Sequence, residues 1–291
     1  IHYLYLNPKF KLIIENADDL NKFSLEKLID EILDIKILTS LLIVTPITDI
    51  KIEKIIKYLR KEILFNISSI KNTKSCFKLM KLIAKQCYIN EYLYPEEANE
   101  GKFLKQLEEK ILNNFRKINN NTNNLEISCL AAYKPLSHYN WSNKIINFNE
   151  IADLVDQQIK EPNIEISFKD SFQSREIRNQ ISLKVKDQYE NSPYPRWTKI
   201  ALNSEPKNIL NSLKNLNLNI NEEKIKNWNK INILVAGCGT GQHALATATK
   251  YKNSFVTAID LSLKSLSYAK RKADELKINN INFIQMDILD L

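Results

Sequence analysis

The glycines of this chain are few and clustered. Only four occur in 291 residues, and three of them, Gly237, Gly239 and Gly241, lie at alternate positions of one short segment. The apolar run INILVA at 231–236 precedes them, and a helical pattern follows. Because glycine and proline are the main residues of turns, so few of either favour long helices over a turn-rich β architecture. The cluster itself predicts one special turn between a buried strand and a helix.

From residue 231 onward, the hydrophobic pattern alternates between strand and helix. Strands are predicted at 231–236, 254–259 and 281–285, and helices at 244–251 and 263–276. Ser262 is the expected N-cap of the second of these helices. The β-α-β-α-β series predicts an α/β fold in which this part forms the first half of a doubly wound, Rossmann-like sheet.

Upstream of the predicted sheet, the pattern is mostly helical. Apolar residues recur at helical spacing from Leu25, with Ser24 as N-cap, and Asp49 can cap the next helix. Further helices are predicted at 75–93, 103–115, 125–132, 150–159 and 175–189, with an Asn-rich loop at 119–124. We therefore divide the chain into a helical N-terminal domain at 1–160, a connector with the YENSPYPRW segment at 161–204, and a truncated α/β domain at 205–291.

Composition narrows the function classes. No apolar stretch approaches the roughly 20 residues that span a bilayer, and the first residues lack a signal-peptide pattern, so we expect a cytoplasmic protein with no membrane contact. The formal net charge of +8 comes from lysines spread along the chain, and those at 51–61 form the solvated face of an amphipathic helix. A nucleic-acid partner is therefore not expected. The cysteines and histidines do not cluster, so no metal site is predicted.

The glycine turn indicates a ligand at the end of a strand. A ligand that touches backbone there leaves no room for Cβ atoms, and the helix N-terminus offers free N–H groups. Dinucleotides prefer the pattern G-x-G-x-x-G, whose third glycine corresponds to Gln242 here. That bulky side chain argues against a pyrophosphate, and the spacing favours a nucleoside with a small zwitterionic tail. An NAD-dependent oxidoreductase remains an alternative.

Two carboxylates stand at the ends of the next two predicted strands. Asp260 can accept hydrogen bonds from both ribose hydroxyls, and its alternative role is helix N-capping beside Ser262. Asp287 can accept a hydrogen bond from an adenine amino group, while the main-chain N–H of Ile288 can meet a ring nitrogen. The alternative for Asp287 is a surface turn. Three successive strand ends would then line one crevice, as the switch-point rule for open sheets expects.

Several sequence segments resemble those of class I S-adenosylmethionine-dependent methyltransferases. QYENSPYPRW, ILVAGCGTGQHALATA, AIDLSLKSLSYAKRKA and NFIQMDILDL are similar to segments of bacterial methyltransferases that often carry tetratricopeptide repeats upstream. KLIAKQCYINEY and CLAAYKPLSH are similar to the domain between those repeats and the methyltransferase. The resemblance implies S-adenosylmethionine as cofactor and methyl transfer to an unidentified acceptor. The implied cofactor contacts are Gly237, Cys238, Gly239, Gly241, Asp260, Leu261, Asp287 and Ile288.

Residues of the connector are candidates for a lid over that cofactor. Arg196 could pair with the carboxylate of the cofactor, and Tyr189, Tyr194 and Trp197 could lie beside its positively charged sulfonium. The alternative is a packed connector that anchors the N-terminal domain to the sheet. In one respect the chain departs from the family pattern: Val235 stands where many methyltransferases have an acidic residue, two positions before the first motif glycine.

The remaining expectations depend on where the sequence begins and ends. It begins at Ile1 and ends at Leu291, directly after a predicted strand, and we expect a fragment that lacks the catalytic half of its parent. No catalytic residue is therefore assigned. One edge of the strand at 231–236 is expected to stay open, which predicts poor solubility. A non-catalytic module, whose helical part recruits a protein partner, is the second alternative.

Overall fold

The chain forms two compact units. The computed structural model describes residues 2–71, 73–97, 99–116, 123–214, 221, 223 and 230–291. The first unit is Ile1–Pro162, here called the helical unit, and the second is Asn163–Leu291, the α/β unit. Most of the loop predicted at 119–124 lies outside the described residues.

The helical unit is built from α-helices of four to 17 residues. Its helices are α1 (His2–Tyr5), α2 (Pro8–Glu15), α3 (Leu25–Asp34), α4 (Lys36–Leu41), α5 (Ile50–Phe65), α6 (Thr73–Ile89), α7 (Glu100–Arg116), α8 (Asn124–Ala131) and α9 (Ala152–Val155). A π-helical turn, Asp156–Lys160, joins α9 to α10 (Glu161–Phe168), which continues into the α/β unit. The single helix predicted at 150–159 is thus interrupted. The turn contains Gln158, whose fully buried amide accepts from the Leu136 N–H at 3.1 Å and donates to the Ala131 carbonyl at 3.2 Å.

Two predicted helix starts are confirmed. The Ser24 hydroxyl accepts a hydrogen bond from the Lys27 N–H at 3.4 Å, and one Asp49 oxygen accepts from the N–H groups of Lys51 and Ile52. The predicted amphipathic character of α5 is also confirmed, since its apolar face is buried and forms part of the core: Ile52, Ile55, Ile56, Leu59 and Ile63. Each such aliphatic side chain contributes roughly 1.5–3 kcal/mol through burial.

The α/β unit contains a four-stranded parallel sheet. Its elements are β1 (Gln173–Ser174), α11 (Gln180–Asn191), α12 (Ile209–Lys214), β2 (Ile231–Ala236), α13 (Gln242–Lys250), β3 (Ser254–Asp260), α14 (Leu263–Glu275) and β4 (Ile281–Gln285). The strand order is β1-β4-β3-β2, and all three pairings are parallel. The mostly helical α/β character and the three strands predicted after residue 231 are confirmed. Because parallel strands end on the same side, the chain segments after β2, β3 and β4 meet at one edge of the sheet.

The stretch predicted as a connector contributes to this sheet. Gln173 pairs with Ile284 and Ser174 with Gln285, so β1 adds a short strand beside β4. The helix predicted at 175–189 begins only at Gln180 and ends at Asn191. Its start is fixed by Asn179, whose side-chain oxygen accepts from the N–H groups of Ile181 and Ser182 at 2.9 and 3.1 Å.

The strand β2 forms the other edge. Among the described residues it pairs with β3 alone, and its Leu234 side chain is 49 % exposed. The interior strand β3 is buried more evenly, with Val256 and Ala258 fully covered. As for membranes, none of the described helices combines the length and the apolar character that a bilayer crossing needs.

Candidate functional site

A cavity of about 480 Å³ lies where β2, β3 and β4 end. That volume falls within the roughly 300–1,000 Å³ typical of small-molecule sites. It is lined by residues at and after the strand ends, namely Gly237, Cys238, Gly239, Thr240, Gln242, His243, Asp260, Leu261, Met286 and Ile288, and by Val185, Tyr189, Tyr194 and Pro195 from α11 and the connector, here called its cover. The structure therefore brings together, in one crevice, residues from all three predicted strand ends.

The three clustered glycines have two different functions in the turn. All have positive φ angles, +68° at Gly237, +52° at Gly239 and +85° at Gly241, a region that side chains strongly disfavour. At Gly237 and Gly239 an added Cβ would meet no atom within 4 Å, so their open side faces free space. At Gly241 it would lie 2.5 Å from the Cβ of Ala269 in α14. Gly241 does not border the cavity; it permits the close packing of the turn on α14.

Asp260 links the end of β3 to the glycine turn. One carboxylate oxygen accepts a hydrogen bond from the Gly239 N–H at 2.7 Å, and the other accepts from the Ser262 N–H at 3.0 Å. Burial raises the pKa of this carboxyl above its ordinary value, while the backbone N–H groups partly offset that rise. The predicted N-cap role belongs to Ser262, whose hydroxyl accepts from the Ser265 N–H at 3.0 Å. Asp260 thus holds the turn and borders the cavity at the same time.

Asp287 does not border the cavity, although its two neighbours Met286 and Ile288 do. Its side chain is 2 % exposed, and one oxygen accepts from the Leu289 N–H at 3.0 Å. The carboxylate caps the 3₁₀ turn Ile288–Asp290. The position is a turn, but its side chain is buried and does not lie on the surface.

The four lid candidates separate into two pairs. Tyr189 on α11 and Tyr194 in the connector border the cavity, and each is about 40 % exposed (39 % and 41 %). Arg196 and Trp197 do not border it and are buried, at 6 % and 3 % exposed. Both instead make contacts inside the α/β unit.

Those contacts explain the burial of Arg196. Its guanidinium lies 3.4 Å from the carboxylate of Glu165 in α10, and Arg271 in α14 donates to the same carboxylate at 2.9 Å. Both arginines also lie over the ring of Tyr268, at 5.6 and 4.8 Å from its centroid. A buried carboxylate between two guanidiniums satisfies charges that would otherwise be costly to bury.

Some cavity residues were missed by the sequence reasoning, namely Val185, Pro195, Thr240 and Met286. A helical signal was available for Val185, which stands one turn before Tyr189 on α11. Gln242 and His243 border the cavity as the first two residues of α13, and both are exposed. Val235, the position without the usual acid, is 6 % exposed and packs in the core of the α/β unit.

The cavity contains one cysteine. Cys238 is buried, and burial together with the nearby Asp260 carboxylate raises the pKa of its thiol well above the ordinary value. It is therefore an uncharged, small residue of the cavity wall. The described residues contain no group of three or more His, Cys, Asp or Glu side chains arranged to hold a metal ion.

Comparison with known families gives one match, which lies in the C-terminal part of the chain. A family model described as a methyltransferase domain matches residues 233–291. This stretch begins within β2 and includes the glycine turn, Asp260 and the segment after β4. Comparisons with curated proteins and with solved structures give no match. The match supports methyl transfer as the activity of this part of the chain.

Proposed function

We propose that the α/β unit binds S-adenosylmethionine in the cavity and that the protein transfers the methyl group of this cofactor to an acceptor. One observation carries the proposal: the open side of the glycine turn and the Asp260 carboxylate border a single cavity at the ends of neighbouring parallel strands. The methyltransferase match covers the same residues. The acceptor is not specified by either observation.

The turn supports an adenosine-linked ligand by leaving room for it. Free space beside Gly237 and Gly239 lets a ligand approach the backbone, which side chains at these positions would prevent. One Asp260 oxygen accepts from the Gly239 N–H and the other from the Ser262 N–H, and the backbone of Leu261 also interacts with this carboxylate. A carboxylate has about four lone pairs, and we propose that the remaining capacity accepts hydrogen bonding from the ribose hydroxyls.

The remaining contacts follow from the cavity wall. The N-terminal end of α13, at Gln242 and His243, carries unpaired helix N–H groups and a partial positive charge, which suit the carboxylate end of the ligand. This role replaces the one expected of Arg196. We propose that Leu261 and Met286 flank the adenine, with the main-chain N–H of Ile288 meeting a ring nitrogen in place of the Asp287 carboxylate.

The chemistry depends mainly on position. The bound cofactor supplies an electrophilic methyl group on a positively charged sulfur. Tyr189 and Tyr194 border the cavity, and we propose that their aromatic rings stabilise the nearby cation and exclude water. We assign no general base.

Calorimetric titration of the chain with S-adenosylmethionine, S-adenosylhomocysteine and NAD⁺ tests the proposal. We expect the two adenosyl sulfur compounds to bind and NAD⁺ not to bind. Gly239→Val fills the open side of the turn and should weaken S-adenosylmethionine binding at least about tenfold, the equivalent of about 1.4 kcal/mol. Gly101→Val in α7 is the control, because Gly101 lies in the helical unit and only the Glu96 carboxylate comes within 4 Å of its added Cβ. Binding of NAD⁺ in preference to the adenosyl compounds would refute the assignment. Equal affinity of Gly239→Val and Gly101→Val for S-adenosylmethionine would refute it as well.

A further inference from the structure

Thr240 joins the glycine turn to the connector through two hydrogen bonds of opposite direction. Its hydroxyl donates to the Pro195 carbonyl at 2.8 Å, and its main-chain carbonyl accepts from the Trp197 indole N–H at 3.0 Å. Thr240 is 3 % exposed; its bond with Trp197 is buried and its bond with Pro195 is partly buried. Hydrogen bonds between buried groups are costly to break, because the abandoned partner stays unsatisfied.

The connector side of this junction is itself anchored. The hydroxyl of Tyr268 on α14 donates to the Trp197 carbonyl, and the two rings meet edge to face at 6.1 Å. Trp197 is therefore fixed by α14 on one side and by Thr240 on the other. The ammonium group of Lys272 adds a contact over the indole ring at 5.2 Å.

This anchoring of the connector determines the position of Tyr194. This residue directly precedes Pro195, whose carbonyl is held by Thr240, and it borders the cavity. At 41 % exposed, Tyr194 is only partly packed against the rest of the chain. Its position over the cavity therefore depends on the backbone of the next three residues.

We propose that Thr240 is a positioning residue for cofactor binding: it fastens the connector to the glycine turn so that Tyr194 covers the cavity. This inference rests on the proposed function for the ligand, but the fastening itself is a property of the chain. It predicts that Thr240 acts on ligand affinity through Tyr194 rather than through the shape of the turn alone.

Thr240→Val tests the fastening, because valine keeps the shape of threonine and removes the hydroxyl donor. Thr249→Val is the matched control: the Thr249 hydroxyl donates to a carbonyl within α13, and the residue does not border the cavity. Hydrogen–deuterium exchange of the ligand-free chain should become faster at residues 194–198 in Thr240→Val and stay unchanged there in Thr249→Val. Equal exchange in the two variants would overturn the proposal without any reference to the cofactor.

Calorimetry with S-adenosylmethionine then tests the route through Tyr194. We expect Thr240→Val to weaken binding about tenfold, as for the loss of one buried hydrogen bond, and Thr240→Ser, which keeps the donor, to stay within about twofold of the parent chain. In a Tyr194→Ala background, Thr240→Val should weaken binding by less than about twofold, because coupled residues are not additive. A full tenfold loss in that background would show that Thr240 acts on the turn alone, and would overturn the proposal.

The two measurements separate the possible failures. If the parent chain binds no adenosyl compound, the proposed function fails, while the exchange experiment still decides whether Thr240 fastens the connector. If the parent binds and Thr240→Val binds equally well, the positioning role fails and the proposed function stands.

Discussion

The N–H of Gly239 donates a hydrogen bond of 2.7 Å to the carboxylate of Asp260, which ties the turn after β2 to the end of β3. A buried carboxylate is kept in place by backbone groups at the point where a ligand would bind. Because the same group serves the fold and the ligand, its replacement should affect both stability and binding.

The Asp260→Asn variant tests both effects. Asparagine keeps one acceptor oxygen for the N–H groups of Gly239 and Ser262, so the ligand-free variant should be less stable than the parent by about 1–3 kcal/mol. Burial raises the pKa of the folded Asp260 carboxyl above that of the unfolded chain, so its contribution to stability is fully present below the unfolded pKa and is lost as pH rises through the folded pKa. The stability difference between parent and variant should therefore be larger at pH 4 than at pH 7. Binding of S-adenosylmethionine should fall about 10- to 100-fold, because hydrogen bonds to a charged acceptor are lost. Thermal melting at pH 4 and pH 7, together with calorimetry, measures both effects; equal affinity of variant and parent would contradict the role of Asp260.

Gly241→Ala should destabilise the α/β unit. Its new Cβ would lie 2.5 Å from the Cβ of Ala269, on a backbone with a φ of +85°, and the combined strain should cost about 2 kcal/mol or more. Hydrogen exchange at the amides of β3 reports the opening free energy of this unit separately from the helical unit. Gly101→Ala, in the α7 helix, should be neutral or slightly stabilising. Unchanged exchange in Gly241→Ala would show that α14 moves easily away from the turn.

Glu165→Gln should also destabilise the α/β unit, by about 3 kcal/mol, because it leaves Arg196 and Arg271 buried without their shared carboxylate. The exposed pair Lys270–Asp274 on α14 provides the contrast, since Asp274→Asn should change stability by less than about 0.5 kcal/mol. Exchange of the β3 amides again measures both variants. Similar effects for the two would mean that solvent reaches the Glu165 carboxylate.

Tyr189→Leu should distinguish the charge of the cofactor from its shape. S-adenosylmethionine carries a positive sulfonium and S-adenosylhomocysteine a neutral sulfur, so loss of the aromatic ring should weaken binding of the first by about 3- to 30-fold and affect the second less. Tyr189→Phe keeps the ring and should preserve the preference. Parallel losses for both ligands in Tyr189→Leu would indicate that the side chain contributes only apolar area.

Leu234→Lys should reduce self-association of the chain. Leu234 is half exposed on β2, the edge strand of the sheet, and a charged side chain on an edge discourages pairing with another molecule. Analytical ultracentrifugation over a range of concentrations would show less aggregate for the variant. The control is Leu93→Lys, because Leu93 is another exposed leucine but lies in the helical unit. This substitution should have little effect on self-association.

The sequence predicted the elements that depend on local signals. The caps at Ser24, Asp49 and Ser262 were recognisable because each side chain bonds to N–H groups two or three residues away. The strand at 173–174 was not recognisable, since two residues carry no periodic pattern and pair with β4 only through tertiary contact. Asp287 shows the same limit, because its carboxylate could point to the crevice or to its own turn, and the sequence does not distinguish them.

The lid candidates also show why a sequence motif does not assign a function to each of its residues. In the connector, Tyr194 and Trp197 lie three residues apart. Tyr194 borders the cavity, whereas Trp197 is buried and contacts α14. Both are aromatic, and only the positions of Thr240 and Tyr268 in space separate their functions. Those positions depend on a strand–helix arrangement that no single-sequence pattern contains.

The strand β1 and the carboxylate of Glu165 have a practical consequence for anyone who engineers this chain. The family match starts at residue 233, but the α/β unit starts at Asn163 and takes a sheet strand, a buried anion and the cover of its cavity from the intervening segment. An expression clone or chimera cut at the edge of the family match would discard all three. The crossover point that keeps this unit whole lies next to Pro162.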